Sequence, residues 1–584
     1  MSKHVIILGG GVAGMSAAHE LIERGFRVTV FERQKTLCGG KARSIPIPET
    51  ASPGKDPLPG EHGFRFFPGF YRHIIDTMER IPVSGDPQAK FVTDNLRNCP
   101  NMMMARKNQI PIILPNHLPR SLKDLAALLK KMKGFGAGLE SGESALIAKK
   151  LWQLLTSCEE RRFNEYERTG WWEFTEAATH SEAYRTVFVT GLTRTLVAAK
   201  AETCNTKTNG DILIQMMINM TAPFVNTDRI LCGPTNEKWL DPWLKYLQEK
   251  KVAYEFNCEA VALNVTDRKI ASVTIKRSGK EEEHSADYFL CAIPVERAAV
   301  LLNTKPLLKL DPNLSFTKKL SDSVAWMNGM QFYLKKDVPL VDGHIILADS
   351  EWSLTAISQA QFWNINLEKY GRGDVAGILS VDVSNWEVPG PIFHKPASQC
   401  TKKEALLEVW EQLKSAFNTP DIQLEDSNLV MAYVDEDIIF GSDLTDRIKA
   451  SQNPEMNKPA PYGSNRTNKN EEPLLVNEIN TWSIRNDSRT SIANLFLASD
   501  YVRTFTDLAT MEGANEAARR ATNDIIDVSG SKQSFCKVWN LHEPGWLLFY
   551  KWQDKRRYNL GLAWKLYEPW YAKLINYILY LFKR

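Results

Sequence analysis

The chain of 584 residues contains no window of about 20 uninterrupted apolar residues, so no membrane-spanning helix is expected. It has almost no charge excess. Against 69 Asp and Glu stand 72 Lys and Arg, and the net +3 is too small to argue for nucleic acid. Its nine cysteines (38, 99, 158, 204, 232, 258, 291, 400 and 536) form no C-x-x-C pair and no metal-like spacing. An odd, scattered set points to reduced thiols and the cytoplasm rather than to a disulfide framework. The N-terminal apolar run Val5-Ile6-Ile7-Leu8 breaks at once into glycines, so no signal peptide is expected. No Ser/His/Asp set, carboxylate pair or metal cluster stands out, and no catalytic acid or base is singled out. What remains is ordinary globular composition, 43% hydrophobic with 33 Gly and 29 Pro, which excludes disordered and collagen-like chains.

The sharpest positive signal lies in the first forty residues. Val5–Leu8 reads as a strand, Gly9 to Gly11 as a tight turn, and Val12 to Ile22 as a helix with Ala13, Ala17 and Leu21 at helical spacing. Val28–Phe31 reads as a second strand ending in Glu32. Gly9-x-Gly11-x-x-Gly14 in that order of elements is the dinucleotide fingerprint. The helix N-terminus offers free N–H groups to a diphosphate. Glu32, 18 residues past Gly14, is placed to accept from both ribose hydroxyls, which disfavours NADP and leaves FAD and NAD open.

Next comes Arg33, and then Cys38-Gly39-Gly40-Lys41-Ala42-Arg43, a second glycine pair followed by two cations suited to a phosphate. This stretch resembles the GG motif of flavin amine oxidases and carotenoid desaturases. Glu61-His62-Gly63-Phe64-Arg65-Phe66-Phe67-Pro68-Gly69-Phe70-Tyr71 is similar to a desaturase segment in which Glu, Gly, His or Arg, Phe and Gly recur before an aromatic. Near the other end, Leu495–Leu497 reads as a strand followed by Asp500, and Leu508-Ala509-Thr510-Met511-Glu512-Gly513-Ala514 as a helix start. That pair is similar to the C-terminal flavin motif of the same superfamily.

The resemblance is to FAD-dependent amine oxidoreductases, in the branch of phytoene desaturase and hydroxysqualene dehydroxylase. It implies FAD as cofactor. Gly63, with Phe64 and Arg65, is then expected near the isoalloxazine, and Asp500 near the ribitol. N–H groups around Met511 and Gly513 are expected at the flavin N1/O2 edge, and backbone groups of Ala260 and Val261 at the adenine. The implied fold is α/β: a Rossmann-type, glutathione-reductase-like FAD domain (1–75, 225–300 and 485–530) interleaved with an α+β substrate domain (76–224 and 300–485).

In the substrate domain, Leu122, Leu125, Leu129 and Met132 make an apolar stripe among lysines, suited to packing or to an anionic membrane. Met327–Leu334 alternates as a strand that would roof the flavin, and Trp352, Phe362, Trp363 and Trp386 supply aromatic segments. Asp446 to Glu472 is polar and reads as a long loop.

Residues 537–584 differ from the rest. Nine Lys and Arg against three Asp and Glu give +6, so the preceding residues net −3; thirteen Trp, Tyr and Phe lie among them. Trp and Tyr favour the membrane interface and Lys and Arg favour anionic headgroups. The tail reads as a peripheral anchor, with a helical hairpin packed on the body or on a dimer partner as the alternative.

The expected reaction is desaturation or a related oxidation of a lipophilic isoprenoid or polyene, with electrons passed to a quinone or oxygen. Two other enzymes stay open: an isomerase or hydratase of an unsaturated fatty acid, and an amine or amino-acid oxidase. An amino-acid substrate would need an arginine such as Arg194 aimed into the pocket. Lys335 and Lys336 lie at a strand end and read as solvated. A carrier of prenylated proteins is the non-enzymatic alternative.

Overall fold

A computed structural model describes residues 2–83, 90–115, 139–191, 199–221, 228–441 and 467–566. The 122–132 stripe, Arg194 and residues 446–466 of the polar loop lie outside them. The elements that position the site are, in chain order, β1 (His4–Leu8), α1 (Val12–Glu23), β2 (Arg27–Phe31), β3 (Asn101–Ala105), β4 (Ile112–Pro115), α2 (Glu143–Thr156), α3 (Thr206–Thr221), β5 (Ala253–Glu255), β6 (Glu259–Thr266), β7 (Lys269–Arg277), β8 (Lys280–His284) and β9 (Tyr288–Cys291). There follow β10 (Asn328–Leu334), β11 (Gly343–Leu347), β12 (Leu354–Ser358), β13 (Gly377–Val383), α4 (Lys402–Phe417), β14 (Leu429–Val434), β15 (Leu495–Leu497), α5 (Met511–Ser529) and α6 (Leu548–Asn559).

The first sheet is parallel, in the order β5-β2-β1-β9-β15. Parallel strands are covered on both faces, which is why β1 is an unbroken apolar run. On one face α1 and α5 pack Met15, Ala17, Leu21, Ala518 and Ile525 against Val5 and Ile7. On the other, Ile6, Leu8 and Phe289 meet the small antiparallel sheet β6-β7-β8 and a helical stretch that ends at Leu320. The cofactor-side core therefore runs 20 residues past position 300.

The second sheet has the order β14-β10-β13-β12-β11-β3-β4. Its side chains divide by parity. Met330, Phe332, Ile345, Leu354, Ala356, Val381 and Val383 face α4, where they meet Val409, Trp410 and Leu413. Trp352 and Trp386 belong to this core, and Trp363 to a neighbouring one, so none of them lines a tunnel. The opposite face carries a polar row. Asp382 is in register with Gly329 on β10 and with Thr355 on β12, and His344 projects from β11 on the same side.

A third, helical layer holds α2, α3 and the turns between them around Leu154, Tyr166, Trp171, Phe174 and Ile214. The C-terminal segment docks on this layer. Arg161 pairs with Asp554 at 3.0 Å, the Cys158 N–H donates to the same carboxylate (2.9 Å), and Trp152 stacks on Trp546. Residues 537–566 thus pack on the body with α6 as their one described helix; 567–584 lie outside the described residues. No helix among the described residues is long and apolar enough to cross a membrane. All nine cysteines are buried and none is in a disulfide.

The Arg161–Asp554 pair is nearly inaccessible, at 1% and 3% exposure. Removing one partner of such a pair leaves a buried charge alone, at a cost of about 3–5 kcal/mol. Asp554→Ala should release the C-terminal segment: limited proteolysis is expected to cut at 531–545 at least tenfold faster, with the bound cofactor's spectrum unchanged.

Candidate functional site

A cavity of about 570 Å³ runs from the glycine turn to the polar face of the second sheet. At its first end the chain leaves β1 through Gly9 (φ +100°) and enters α1 at Gly11. A Cβ on Gly14 would stand 1.9 Å from the Gly9 carbonyl oxygen, so only glycine lets α1 sit this close to the turn. The Gly39–Gly40 pair, with φ of +93° and +56°, closes over the turn, its Gly39 N–H donating to the Gly10 oxygen at 3.0 Å. The Tyr254 hydroxyl donates to that same oxygen (2.7 Å), a contact no motif announced.

Glu32 ends β2 beside the turn. Its carboxylate accepts from the Gly10 N–H (2.6 Å) and the Gln34 N–H (2.7 Å), while burial raises its pKa. The Cys258 N–H donates to the Glu32 carbonyl (2.8 Å), which sets Ala260 and Val261 along the same end of the cavity. Gly9, Gly11, Ala13 and Gly40 form its floor. Gly14 lies behind that floor.

The two cations expected near phosphate, Lys41 and Arg43, and Arg33 before them are each paired with a carboxylate. Arg33 pairs with Glu472 (2.9 Å), Lys41 with Glu296 (3.5 Å), and Arg43 with Asp437 (2.9 Å). Burial works against the charge of Lys41, but Glu296, Asp500 and Glu472 outweigh it and raise its pKa. All three side chains border the cavity, yet none offers an uncommitted charge. The positive end available to a diphosphate is therefore the N-terminus of α1.

Asp500 and Met511 reach the cavity from the loop after β15 and the start of α5. Gly513 does not: its N–H donates to Thr510 Oγ1 (3.2 Å) in an N-cap, and the expected flavin contact falls away. Neighbouring Glu512 accepts from the N–H groups of Arg72, His73 and Ile74 at 2.8–2.9 Å, tying the ends of the chain together.

At the second end Gly63, Phe64 and Arg65 meet the second sheet. A Cβ on Gly63 would approach Asp382 Oδ1 to 2.7 Å. Arg65 Nε and Nη2, Asp382 Oδ1, Thr355 Oγ1 and His344 Nε2 are buried without a hydrogen-bond partner among the described residues, and all four side chains line the cavity. Native proteins seldom leave such atoms unmet, so ordered water or a polar ligand meets them there. Burial pushes Asp382 up to about 7, with Arg65 restraining the rise. Burial alone lowers His344 to about 4, so its ring is neutral against Phe66 and Phe64.

Behind them His62 is held between Asp435 (2.7 Å) and Asp437 (3.4 Å). Burial opposes its charge, yet the two carboxylates raise it to about 9. Asp437 lies near 2 against the same opposition, through His62 and Arg43. Of this set only Arg65 was marked by the sequence as a site residue. Asp382, Thr355 and His344 sit on separate strands, and only the register gathers them.

The residues present fit FAD. The glycine turn, the α1 N-terminus and Glu32 suit an adenosine diphosphate, and the unmet polar atoms beyond Gly63 suit a second, polar ring system. Lys335 and Lys336 lie away from the cavity; the Lys335 ammonium donates to the Ser427 carbonyl.

The model of an NAD(P)-binding Rossmann-like domain matches residues 7–81. Among curated proteins, a ferredoxin:CoB-CoM heterodisulfide reductase component from Methanosarcina mazei is 58% identical over 40 residues, 7% of this chain and 5% of that protein. Carotenoid phi-ring synthase from Chlorobaculum tepidum is 33% identical over 84 residues, 14% of this chain and 12% of the synthase. These matches span only a small part of either relative. Among solved structures, putrescine oxidase bound to putrescine aligns with a TM-score of 0.56 at 10% identity, over 90% of this chain and 99% of that one. A putative protoporphyrinogen oxidase from Exiguobacterium sp. 255-15 aligns at 0.53 and 13%, over 91% and 99%. At such identities the likeness is one of fold, a Rossmann-like α/β fold shared with oxidases.

The His62 pair makes stability depend on pH. His62 keeps its proton to about 9 when folded, against 6.5 as its ordinary value. The stabilisation is whole below about 6.5 and fades as pH rises through 9. The wild-type melting temperature should fall across that window, and His62→Gln should melt lower at pH 6 with a flatter slope, read by differential scanning calorimetry.

Proposed function

We propose that the protein is an FAD-dependent oxidoreductase that desaturates or otherwise oxidises a lipophilic isoprenoid or polyene. One observation carries this reading: Phe66, Phe70, Ile212, Met216 and Met327 share a cavity wall with a buried carboxylate, Asp382. A substrate without charge is held by the shape of apolar walls and needs only one group to take a proton. Bound between the two ends, FAD would supply the hydride acceptor and hand its electrons to a quinone or oxygen.

The chain's own work is orientation, exclusion of water and proton movement. Asp382 Oδ1 faces the cavity unmet, and a carboxyl poised near 7 exists in both forms at neutral pH. It takes the proton lost from the carbon next to the one oxidised. Arg65 stabilises the ionised form, and the Phe64 N–H lowers the same carboxyl. Thr355, directly across the strand pair from Asp382, supplies an unmet hydroxyl to the same spot. Neutral His344 closes the wall.

The same carboxylate supports a second reading, oxidation of an amine whose ammonium pairs with Asp382, in keeping with the putrescine oxidase fold. Anaerobic mixing separates the two. Bleaching of the flavin by an isoprenoid hydrocarbon and not by a primary amine supports the first; the reverse result supports the second. A product of unchanged oxidation state overturns both in favour of isomerisation. Asp382→Asn should keep the flavin spectrum, slow flavin reduction by about 100-fold or more, and lose the rising limb near pH 7 from its rate profile.

A further inference from the structure

Exposed apolar side chains are unevenly spread over this protein. Of the fifteen large ones among the described residues, seven fall between Trp546 and Leu566. On α6 they share a face: Leu548, Phe549 and Trp552 are 68%, 49% and 51% exposed, with Trp546 before them at 59%. Leu547, Tyr550 and Asp554 turn the other way, into the body. Leu560, Leu562 and Leu566 continue the apolar surface past the helix. The segment is no loose end, because the Arg161–Asp554 pair, the Trp152–Trp546 stack and the Trp564 Nε1–H bond to Thr156 (3.1 Å) hold it.

The rim of this surface has one sign. Residues 544–566 carry Lys551, Lys555, Arg556, Arg557 and Lys565 against a single acid, Asp554, which is buried beneath. Lys551 and Lys555 are spent on Glu543 and Glu160. Arg556, whose guanidinium lies 5.0 Å over the Trp552 ring, Arg557 and Lys565 have no acidic partner among the described residues. Two copies facing each other through this patch would oppose like charges. An anionic bilayer complements it: interfacial tryptophan, a shallow apolar face and cationic flanks are what headgroups and upper acyl chains receive.

We propose that Trp546–Leu566, with the outer face of α6 at its centre, is the surface by which the protein lies on an anionic lipid membrane. The surface connects to the cavity. Gln215 on α3 donates to the His542 carbonyl (2.9 Å) and accepts from the His542 N–H (3.2 Å), while its helix neighbours Ile212 and Met216 line the cavity. The helix that walls the site is thus pinned to the segment that leads into the membrane-facing patch. A substrate dissolved in the bilayer would enter along α3; that extension rests on the lipophilic-substrate reading above, whereas the docking itself does not.

The test uses the full chain with phosphatidylcholine vesicles, with and without phosphatidylserine, read by cosedimentation and by quenching of tryptophan emission with brominated phosphatidylcholine. Binding should require phosphatidylserine, weaken with salt and quench the tryptophans. The triple variant Leu548→Ser, Phe549→Ser, Trp552→Ser should bind at least about tenfold more weakly, with its melting temperature and flavin reduction in detergent unchanged. Equal binding by variant and wild type overturns the proposal. So does a wild type that ignores vesicles but sediments as a dimer that the triple variant dissolves. Neither result touches the oxidoreductase reading, which the anaerobic mixing decides.

Discussion

A buried four-membered ion network joins the two halves of this structure. Arg43 comes from the glycine-pair segment of the cofactor side, His62 from the bend just after the short strand Pro59–Glu61, and Asp435 and Asp437 from the turn after β14. Two cations meet two carboxylates where the parallel sheet's loops touch the second sheet. Asp435 is further bonded to Asn328 on β10 at 2.6 Å, and Asn328 to Asn470 at 2.8 Å. Breaking such a network by removing one member strands the others in a low dielectric, so it specifies a single docking of the two sheets more than it adds net stability. That docking sets the distance from Gly63 to Asp382, and with it the height of the slot over any ring bound there.

The same closeness explains what was legible in the sequence and what was not. The turn at Gly9–Gly14, the acid Glu32 and the strand–Asp500 segment could be read because their constraints are local: a tight turn, a strand length, a helix start. The discontinuous cofactor side was legible through motifs at both ends. Arg33, Lys41 and Arg43 find their carboxylates at positions 472, 296 and 437, separations that spacing does not reveal. Gly513 was misjudged by one N-cap, in which Thr510 captures the N–H that the motif assigns to the flavin. Asp382, Thr355 and His344 were invisible for a stronger reason. Each stands on a mostly apolar strand, and only the antiparallel register tells which face it shares with the others.

Charge distribution follows the same logic on the surface. The net +3 of the chain conceals a C-terminal segment of +6. Its first thirty residues fold back onto the helical layer, so the aromatic count alone overstates what is free to meet a membrane. Tyr550 packs edge-on against Trp152 at 5.2 Å, and Trp539 against His73. What faces outward is the remainder, one side of α6, and that side concentrates the apolar exposure of the described surface.

In the reading proposed above, cofactor and substrate are served by different parts of the chain. The glycine turn and the parallel sheet are backbone devices, and the likeness of fold to solved oxidases holds at 10–13% identity. The side chains proposed to meet the substrate stand on β11, β12, β13 and α3, where the fold dictates only which positions face inward. An amine would be held through its charge by a carboxylate kept ionised. A carboxyl raised to about 7 by burial binds a cation less strongly at neutral pH than one at its ordinary value, and it accepts a proton more readily. In the reading proposed above, that acceptance serves proton removal from carbon, beside the apolar wall of Ile212, Met216 and Phe66.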